Sequence, residues 1–269
     1  MRAHSCEDAA RDFRHVRRVV VKVGTKTVSK SNGDANATWA RSFAAQVRSL
    51  RARRIEVVIV SSGAIGAGRY ELGLKKRPTA LPEKQAAAAV GQARLMRVYT
   101  EAFKQRGIAV AQILLTYGDL DSKQRCQNAR TTINTLLRMG VVPIINENDT
   151  VAVEEIKFGD NDHLSALTCE LIEADLLVLL TDVQGLLERG GGGKSRRPLP
   201  LIDDRQWDAA WRAVEAGTNS HGTGGMHSKL QAAQRVVAQG GRAIIACGKL
   251  PHVLERIIDG EQIGTCVVP

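Results

Sequence analysis

Two lysines stand in sequence surroundings that favour contact with an anion. Lys22 lies inside the apolar run VVVKV, directly before Gly24 and Thr25, and Lys229 stands four residues after the glycine-rich stretch GTGG. N–H groups at the start of a helix bind phosphate, and a lysine within a buried strand is costly unless an anion pairs with it. A lysine reaching solvent from an edge strand, or a surface lysine after an ordinary glycine turn, would explain the same residues without a site.

A dense polar cluster follows the fourth apolar run of the chain. Its members are Asn146, Glu147, Asn148, Asp149, Asp160, Asn161 and Asp162. Carboxylates and amides at this density could hold Mg²⁺, orient cations or receive a substrate ammonium group. A helix cap at Asp162 and an Asx-turn at 148–150 are the structural alternatives.

Two further polar breaks come directly after apolar runs. They are VSSGAIGAG at 60–68, which offers the Ser62 hydroxyl beside Gly63, and LLTDVQGL at 179–186. Neither break matches a dinucleotide-binding GxGxxG or a GxxxxGK[ST] phosphate loop. Two lysines, two glycine-rich turns and an acidic cluster together indicate phosphoryl transfer, which needs charge neutralisation and in-line positioning.

These groups can meet only if the elements that carry them share one edge of a sheet. Apolar runs, most of them without alternation, predict strands at 19–23, 55–60, 108–115, 141–145, 176–180, 243–246 and 266–268. Helices are predicted between them at 38–53, with Thr38 as N-cap, and at 83–106, 121–139, 162–173, 225–239 and 253–258. This alternation predicts an α/β fold, a three-layer αβα sandwich around a mainly parallel sheet, with ligands at the carboxyl ends of the strands.

The composition excludes several classes of protein. The 269 residues are 43% hydrophobic and 25% charged, which excludes a mainly disordered chain. No apolar run is long enough to span a membrane, and the first 18 residues lack the apolar core of a secretory signal. Five scattered cysteines without a CxxC motif predict a reduced, intracellular protein. The stretch 188–200 predicts a basic, glycine-rich surface loop.

The polar blocks resemble a known family. VVKVGT, VSSGAIGAG, INENDTV, FGDNDHLSA, LLTDVQGL and GTGGMHSKLQAA occur in order over about residues 17–268. They are similar to the signature blocks of the glutamate 5-kinase family in the amino acid kinase superfamily. The resemblance implies the amino acid kinase fold and ATP-dependent phosphorylation of the γ-carboxylate of L-glutamate, the first step of proline biosynthesis.

The resemblance also implies roles for individual residues. Lys22 and Lys229 are implied to be catalytic, with Asp162 holding both lysines in position. Ser62, Gly63, Asp149 and Asn161 are implied to bind glutamate. The implied ATP-binding residues are Lys22, Gly24, Thr25, Thr181, Asp182, Thr223, Gly224, Gly225, Met226, His227, Ser228 and Lys229. The N–H groups of Gly24 and Gly63 are expected to face the phosphoryl group, and His227 is expected to be a solvated helix residue.

Cofactors, partners and domains follow from the same resemblance. It implies ATP with Mg²⁺ held through the phosphates, proline as a feedback inhibitor, and a cytoplasmic homo-dimer or homo-tetramer. It implies an N-terminal extension at 1–16 and a kinase domain at 17–269. The glutamate side of that domain is about 17–170, and the nucleotide side is about 171–269. A form lacking the C-terminal RNA-modification-type (PUA) domain is expected.

Three alternatives compete with this interpretation. Another member of the superfamily would phosphorylate acetylglutamate, carbamate or a nucleoside monophosphate instead. The net charge of +10 allows a nucleic-acid-binding protein, but aromatic residues are only 4% and no helix carries a continuous basic face. We therefore expect neither a nucleic acid nor a membrane partner. A catalytically inactive sensor is disfavoured because Lys22, Asp162 and Lys229 are all present.

Overall fold

The computed structural model describes residues 9–152, 161–187, 198–215 and 225–269. Within them a single eight-stranded sheet has the order β3-β4-β2-β1-β5-β7-β8-β6. The strands are β1 Arg18–Val23, β2 Glu56–Ser61, β3 Val110–Leu115, β4 Val142–Glu147, β5 Leu176–Thr181, β6 Leu201–Ile202, β7 Arg242–Cys247 and β8 Thr265–Val267. Every neighbouring pair is parallel except β7 and β8. The predicted mainly parallel sheet is therefore confirmed.

Helices cover both faces of the sheet. They are α1 Thr25–Val28, α2 Ala37–Ala52, α3 Ala64–Glu71, α4 Leu81–Lys104, α5 Tyr117–Asp121, α6 Lys123–Arg138, α7 Asn161–Ile172, α8 Trp207–Glu215, α9 Met226–Val237 and α10 Val253–Ile258. The hydrophobic core falls into two clusters, one with side chains of α2, α4 and α10, the other with side chains of α6, α7, α8 and α9. The structure is thus the expected three-layer αβα sandwich.

Strand β1 shows how the sequence divides between the two layers. Val19, Val21 and Val23 belong to the first core cluster, and Val20 belongs to the second. Because side chains alternate along a strand, Lys22 shares the face of Val20. Lys22 therefore points toward the layer that contains α7 and α9.

The local predictions missed several elements, among them the helices α1 and α8, and differ from the structure in detail elsewhere. The N-cap of α2 is Asn36, whose side chain accepts a hydrogen bond from the Trp39 N–H at 3.1 Å, and not Thr38. The helix predicted at 121–139 is present as α6 but begins two residues later, and the separate short helix α5 before it, which starts with a capping box of Thr116 and Asp119, was missed. Strand β6 was missed because its two residues are too few to form an apolar run.

Residues 9–16 pack against the body of the fold. Ala10, Phe13 and Val16 are buried within the first core cluster. The guanidinium group of Arg11, which is 3% exposed, donates hydrogen bonds to the carbonyl oxygens of Pro200, Glu261, Ile263 and Gly264. These contacts hold the segment beside β8.

Candidate active site

The predicted polar breaks converge at the carboxyl edge of the sheet. β1 lies between β2 and β5, and β2 is paired on its other side with β4. Parallel pairing brings the ends of these four strands to one edge. An open α/β sheet binds ligands at this edge, in the crevice next to the strands where the strand order reverses.

A buried charge cluster lies at the centre of this edge. Lys22 Nζ is 2.5 Å from Asp162 Oδ1, and Lys229 Nζ is 2.9 Å from Asp162 Oδ2. All three residues are buried: Lys22 is 4% exposed, Asp162 is 0% exposed and Lys229 is 5% exposed. β1 is an interior strand, so the alternative of a lysine reaching solvent from a sheet edge is wrong.

The carboxylate of Asp162 stays ionised in this environment. Burial raises the pKa of Asp162, but the ammonium groups of Lys22 and Lys229 outweigh burial and lower the pKa to about 2. The cluster therefore holds one more positive than negative charge next to the ends of the strands.

Two helices bring Asp162 and Lys229 to Lys22. Asp162 is in the first turn of α7, and Lys229 is in the first turns of α9, which begins after its N-cap Gly225. The Ser228 hydroxyl is 2.9 Å from Asp162 Oδ2 and 2.9 Å from the Gly225 carbonyl oxygen, so it links the start of α9 to the carboxylate. The helix-cap explanation for Asp162 leaves this arrangement unexplained, since its carboxylate contacts two lysines from other elements.

A hydrogen-bond network forms the side of the site next to β2 and β4. Asn161 Nδ2 donates to the Ser61 carbonyl oxygen at 2.7 Å, to Asn146 Oδ1 at 2.8 Å and to Ser62 Oγ at 3.1 Å. Behind it the hydroxyl groups of Ser61 and Tyr99 are 2.9 Å apart, in the core. Burial raises the pKa of the Tyr99 hydroxyl, which remains neutral. Asn161 and Ser62 are thus brought together as predicted.

Two neighbouring residues belong to the turns that border this network. Gly63 has a φ of 107°, and a Cβ atom there would lie 2.8 Å from Val28 Cγ1, so this turn requires glycine. Asp149 is half-buried in the turn after β4. The Thr150 hydroxyl donates a hydrogen bond to Asn148 Oδ1 at 2.6 Å, so the 148–150 turn contains a local hydrogen bond between its own side chains.

The nucleotide-side residues lie at the end of β5 and around α1. Thr181 ends β5, and Asp182 follows it. The Gly24 N–H was expected to face the phosphoryl group, but it donates to the Leu180 carbonyl oxygen at 3.2 Å. The backbone N–H groups of Thr25 and Lys26, at the start of α1, make no hydrogen bond with the described residues. These two N–H groups are therefore the backbone donors of this turn that can bind a phosphate.

The sequence placed Asn146 in the polar cluster without giving it a role, and Lys26 was missed. Asn146 is 2% exposed, orients Asn161 and accepts its amide proton. Lys26 Nζ is 3.0 Å from Asp182 Oδ2. Burial raises the pKa of Asp182, but the hydrogen bond and charge of Lys26, together with hydrogen bonds from the Asp182 backbone and the Thr181 hydroxyl, outweigh burial and lower the pKa. A lysine directly after Gly24 and Thr25 was a signal that could have indicated Lys26.

Other predicted residues lie at the margin of the site or outside the described chain. Met226 is half-buried at the start of α9. His227 is exposed, with its ring 5.2 Å from that of Trp211, as expected for a solvated helix residue. Thr223 and Gly224, as well as most of the basic loop at 188–200, lie outside the described residues.

The described residues offer no ready-made metal site. Among them no group of three or more His, Cys, Asp or Glu side chains is placed to hold an ion. Of the described carboxylates at the carboxyl edge, Asp162 is already shared by two lysines and Asp182 is paired with Lys26. These residues fit a metal ion that arrives on a phosphate-bearing ligand. Searching the same described residues for a helix long and apolar enough to span a bilayer also finds none.

Comparison with known proteins places this geometry in a family. The amino acid kinase family profile matches residues 17–247. Glutamate 5-kinase of Citrifermentans bemidjiense is 50% identical over 261 residues, covering 96% of this chain and 69% of that protein. Glutamate 5-kinase of Geobacter sulfurreducens is 47% identical over 256 residues, covering 94% of this chain and 68% of that protein.

Solved structures share the fold at low sequence identity. A carbamate kinase from Giardia lamblia bound to AMP-PNP superposes with a TM-score of 0.67 at 16% identity, covering 95% of this chain and 99% of that chain. A UMP kinase from Bacillus anthracis gives 0.61 at 16% identity, covering 94% of this chain and 96% of that chain. At this identity the likeness supports the fold alone.

Proposed function

This chain belongs to the amino acid kinase family and, within it, to the glutamate 5-kinases, and we propose that the Lys22–Asp162–Lys229 cluster is its phosphoryl-transfer centre. The reaction is the ATP-dependent phosphorylation of the γ-carboxylate of L-glutamate, the first step of proline biosynthesis. The observation that carries the proposal is the burial of two lysines on one carboxylate at the carboxyl edge of the sheet.

The charge arrangement suits a carboxylate nucleophile. An unperturbed Glu side chain has a pKa near ~4.3, so the γ-carboxylate is an anion at neutral pH and needs no general base. The main obstacle is repulsion between that carboxylate and the polyphosphate. Lys22 and Lys229 offset this repulsion and stabilise the charge on the transferred group, and Asp162 fixes their ammonium groups in place.

The hydrogen-bond directions support a glutamate site made by Ser62, Gly63, Asp149 and Asn161. The Ser62 hydroxyl accepts from Asn161, so its own proton is available for a substrate carboxylate. The two amide protons of Asn161 already serve three acceptors, which leaves its Oδ1 to accept from the substrate ammonium group. The half-buried carboxylate of Asp149 provides a counter-charge for the same ammonium group.

The nucleotide is proposed to lie between the start of α1 and the start of α9. Donors for its phosphates are the N–H groups of Thr25 and Lys26 and the N-terminal turn 225–229, to which the prediction adds Thr223 and Gly224. Thr181 and Asp182 face the same side from the end of β5. Mg²⁺ is proposed to enter with ATP, where it would supply further charge neutralisation of the phosphates.

Family membership supports the remaining parts of the proposal. We expect a cytoplasmic homo-dimer or homo-tetramer that proline inhibits. The glutamate side is expected at about 17–170 and the nucleotide side at about 171–269.

The test is glutamate-dependent release of ADP in the presence of Mg²⁺, measured with and without proline. L-Glutamate should be the preferred acceptor, and acetylglutamate, carbamate and UMP should give little turnover. If one of those acceptors were turned over faster than glutamate, that acceptor and not glutamate would be the substrate. A folded protein that releases no ADP with any acceptor would contradict the phosphoryl-transfer centre itself.

A further inference from the structure

Two adjoining cavities open at the amino ends of the strands, on the edge opposite the proposed active site. The larger has a volume of about 420 Å³, and the smaller has a volume of about 150 Å³. Glu56, the first residue of β2, lines both. Arg18 lines the larger cavity and begins β1, so it is about 13 Å along the strand from Lys22. The cavities are therefore separate from the phosphoryl-transfer centre.

Arginine dominates the lining of these cavities. The five arginines are Arg18, Arg51, Arg54, Arg130 and Arg138, and the acidic residues are Glu56 and Glu173. Arg18 pairs with Glu56 at 2.7 Å, and Arg130 pairs with Glu173. Among the described residues, Arg138 has only the Thr135 hydroxyl as a partner, and Arg54 has none. The lining is positively charged, and part of its charge has no counter-ion.

The backbone supplies an independent observation. In the described part of the chain, seven helices end in the same way: a residue with positive φ is followed by an N–H that donates to the carbonyl oxygen five residues earlier. Five of these positive-φ residues are glycine, as this motif favours: Gly73, Gly107, Gly140, Gly240 and Gly260. The other two are Arg54 at φ 62° and Glu173 at φ 53°.

Both exceptions line the arginine cavities. A non-glycine residue in this conformation is strained, and such strain persists where the side chain is needed. Among these seven described helix ends, the preference for glycine is thus broken only at the two positions whose residues line these cavities. This coincidence indicates a role for the side chains of Arg54 and Glu173.

We propose that the two cavities form a binding site for a small anion that carries two or more phosphate groups. Guanidinium groups bind phosphate through paired N–H donors, and several arginines around a concave surface suit a compact ligand with several charges. Asn134 also lines the larger cavity, and its side-chain NH₂ group is of a type that can donate to a phosphate oxygen.

Glu173 occupies the place of the ligand in the unliganded site. It is the exposed partner of Arg130, with 74% of its side chain accessible, so a phosphate can displace it at little cost. Arg54, in contrast, adds a positive charge without competing for any partner. The two strained residues therefore have opposite effects on binding.

The experiment is a binding titration of the full chain with inorganic tripolyphosphate, with the active site saturated by ADP and glutamate. Wild type should bind tripolyphosphate, and Arg130→Gln together with Arg138→Gln should weaken binding at least about tenfold. Arg54→Gly should also weaken binding, whereas Glu173→Gly should strengthen it.

Both glycine variants should raise Tm by roughly 2 °C, which shows that they fold. Arg205→Gln with Arg256→Gln, two arginines paired with carboxylates elsewhere, is the control.

A second arm separates a free polyphosphate from a nucleic acid as the source of the phosphates. Short single-stranded RNA should bind more weakly than tripolyphosphate. RNA that binds more tightly, in a way that the cavity variants abolish, would overturn the small-anion proposal. Absence of tripolyphosphate binding, or binding that the cavity and control variants change equally, would overturn the site.

Discussion

Replacing Asp162 by Asn tests the proposed centre most directly. The change keeps the shape of the side chain but leaves Lys22 and Lys229 buried without their shared carboxylate. Removing one partner of a buried ion pair costs about 3–5 kcal/mol of folding free energy. Because the variant also leaves the two ammonium groups unpositioned, kcat should fall at least about 10²-fold.

The pH dependence of stability gives a second measure of the same charge. Lowering the pKa of Asp162 from 3.8 to about 2 stabilises the folded state by about 2 kcal/mol. Since the folded pKa is the lower one, this contribution is complete above about pH 5 and is lost as the pH falls from there toward 2. The difference in stability between wild type and Asp162→Asn should therefore shrink over that window.

The assay is urea unfolding followed by tryptophan fluorescence, combined with steady-state kinetics. Asp34→Asn is the matched control, because Asp34 is also buried and paired with two cations, Lys30 and Arg94, outside the proposed centre. Both variants should lose stability, but only Asp162→Asn should lose most of its kcat. The reasoning would be refuted if Asp162→Asn unfolded at the wild-type urea concentration, or if the two variants lost activity equally.

Three further predictions concern two single residues of the site and one packing contact of the fold. Lys229→Ala should lower kcat about 10²–10³-fold in steady-state kinetics, and near-wild-type kcat would reject its catalytic role. Lys26→Ala should raise the KM for ATP about fivefold while leaving the urea midpoint nearly unchanged, because its pair with Asp182 is exposed. Gly91→Ala should destabilise the protein by about 3 kcal/mol in urea unfolding, because its Cβ would lie 1.8 Å from the Ala64 carbonyl oxygen where α4 packs on α3. Gly118→Ala, whose Cβ would have 3.7 Å to the nearest atom, should cost far less.

The sequence predicted the features that depend on local pattern. β1 and β5 were recognisable because their apolar residues are consecutive, as burial on both faces requires. Lys22 was conspicuous because a charge interrupts such a run. Its partner Asp162 was identified as a candidate from its polar neighbourhood and from the family resemblance.

Features that depend on distant contacts were not predictable in this way. The hydroxyl contact between Ser61 and Tyr99 and the pairing of Lys26 with Asp182 join residues far apart in the chain. Nothing in their local sequence selects these partners over others. The strained conformation of Arg54 was equally hidden, since the local pattern of a helix end favours glycine there.

The order of the strands also fixes when the charge cluster can form during synthesis of the chain. β1 to β4 make one half of the sheet, and all of them precede residue 148. Lys22 belongs to that early half, Asp162 comes next, and Lys229 is added only with α9. A growing chain can thus pair Lys22 with Asp162 in a locally neutral arrangement. The second lysine gives the site its excess positive charge only after most of the chain has been made, so an incomplete chain would lack the electrostatic means to bring ATP and glutamate together.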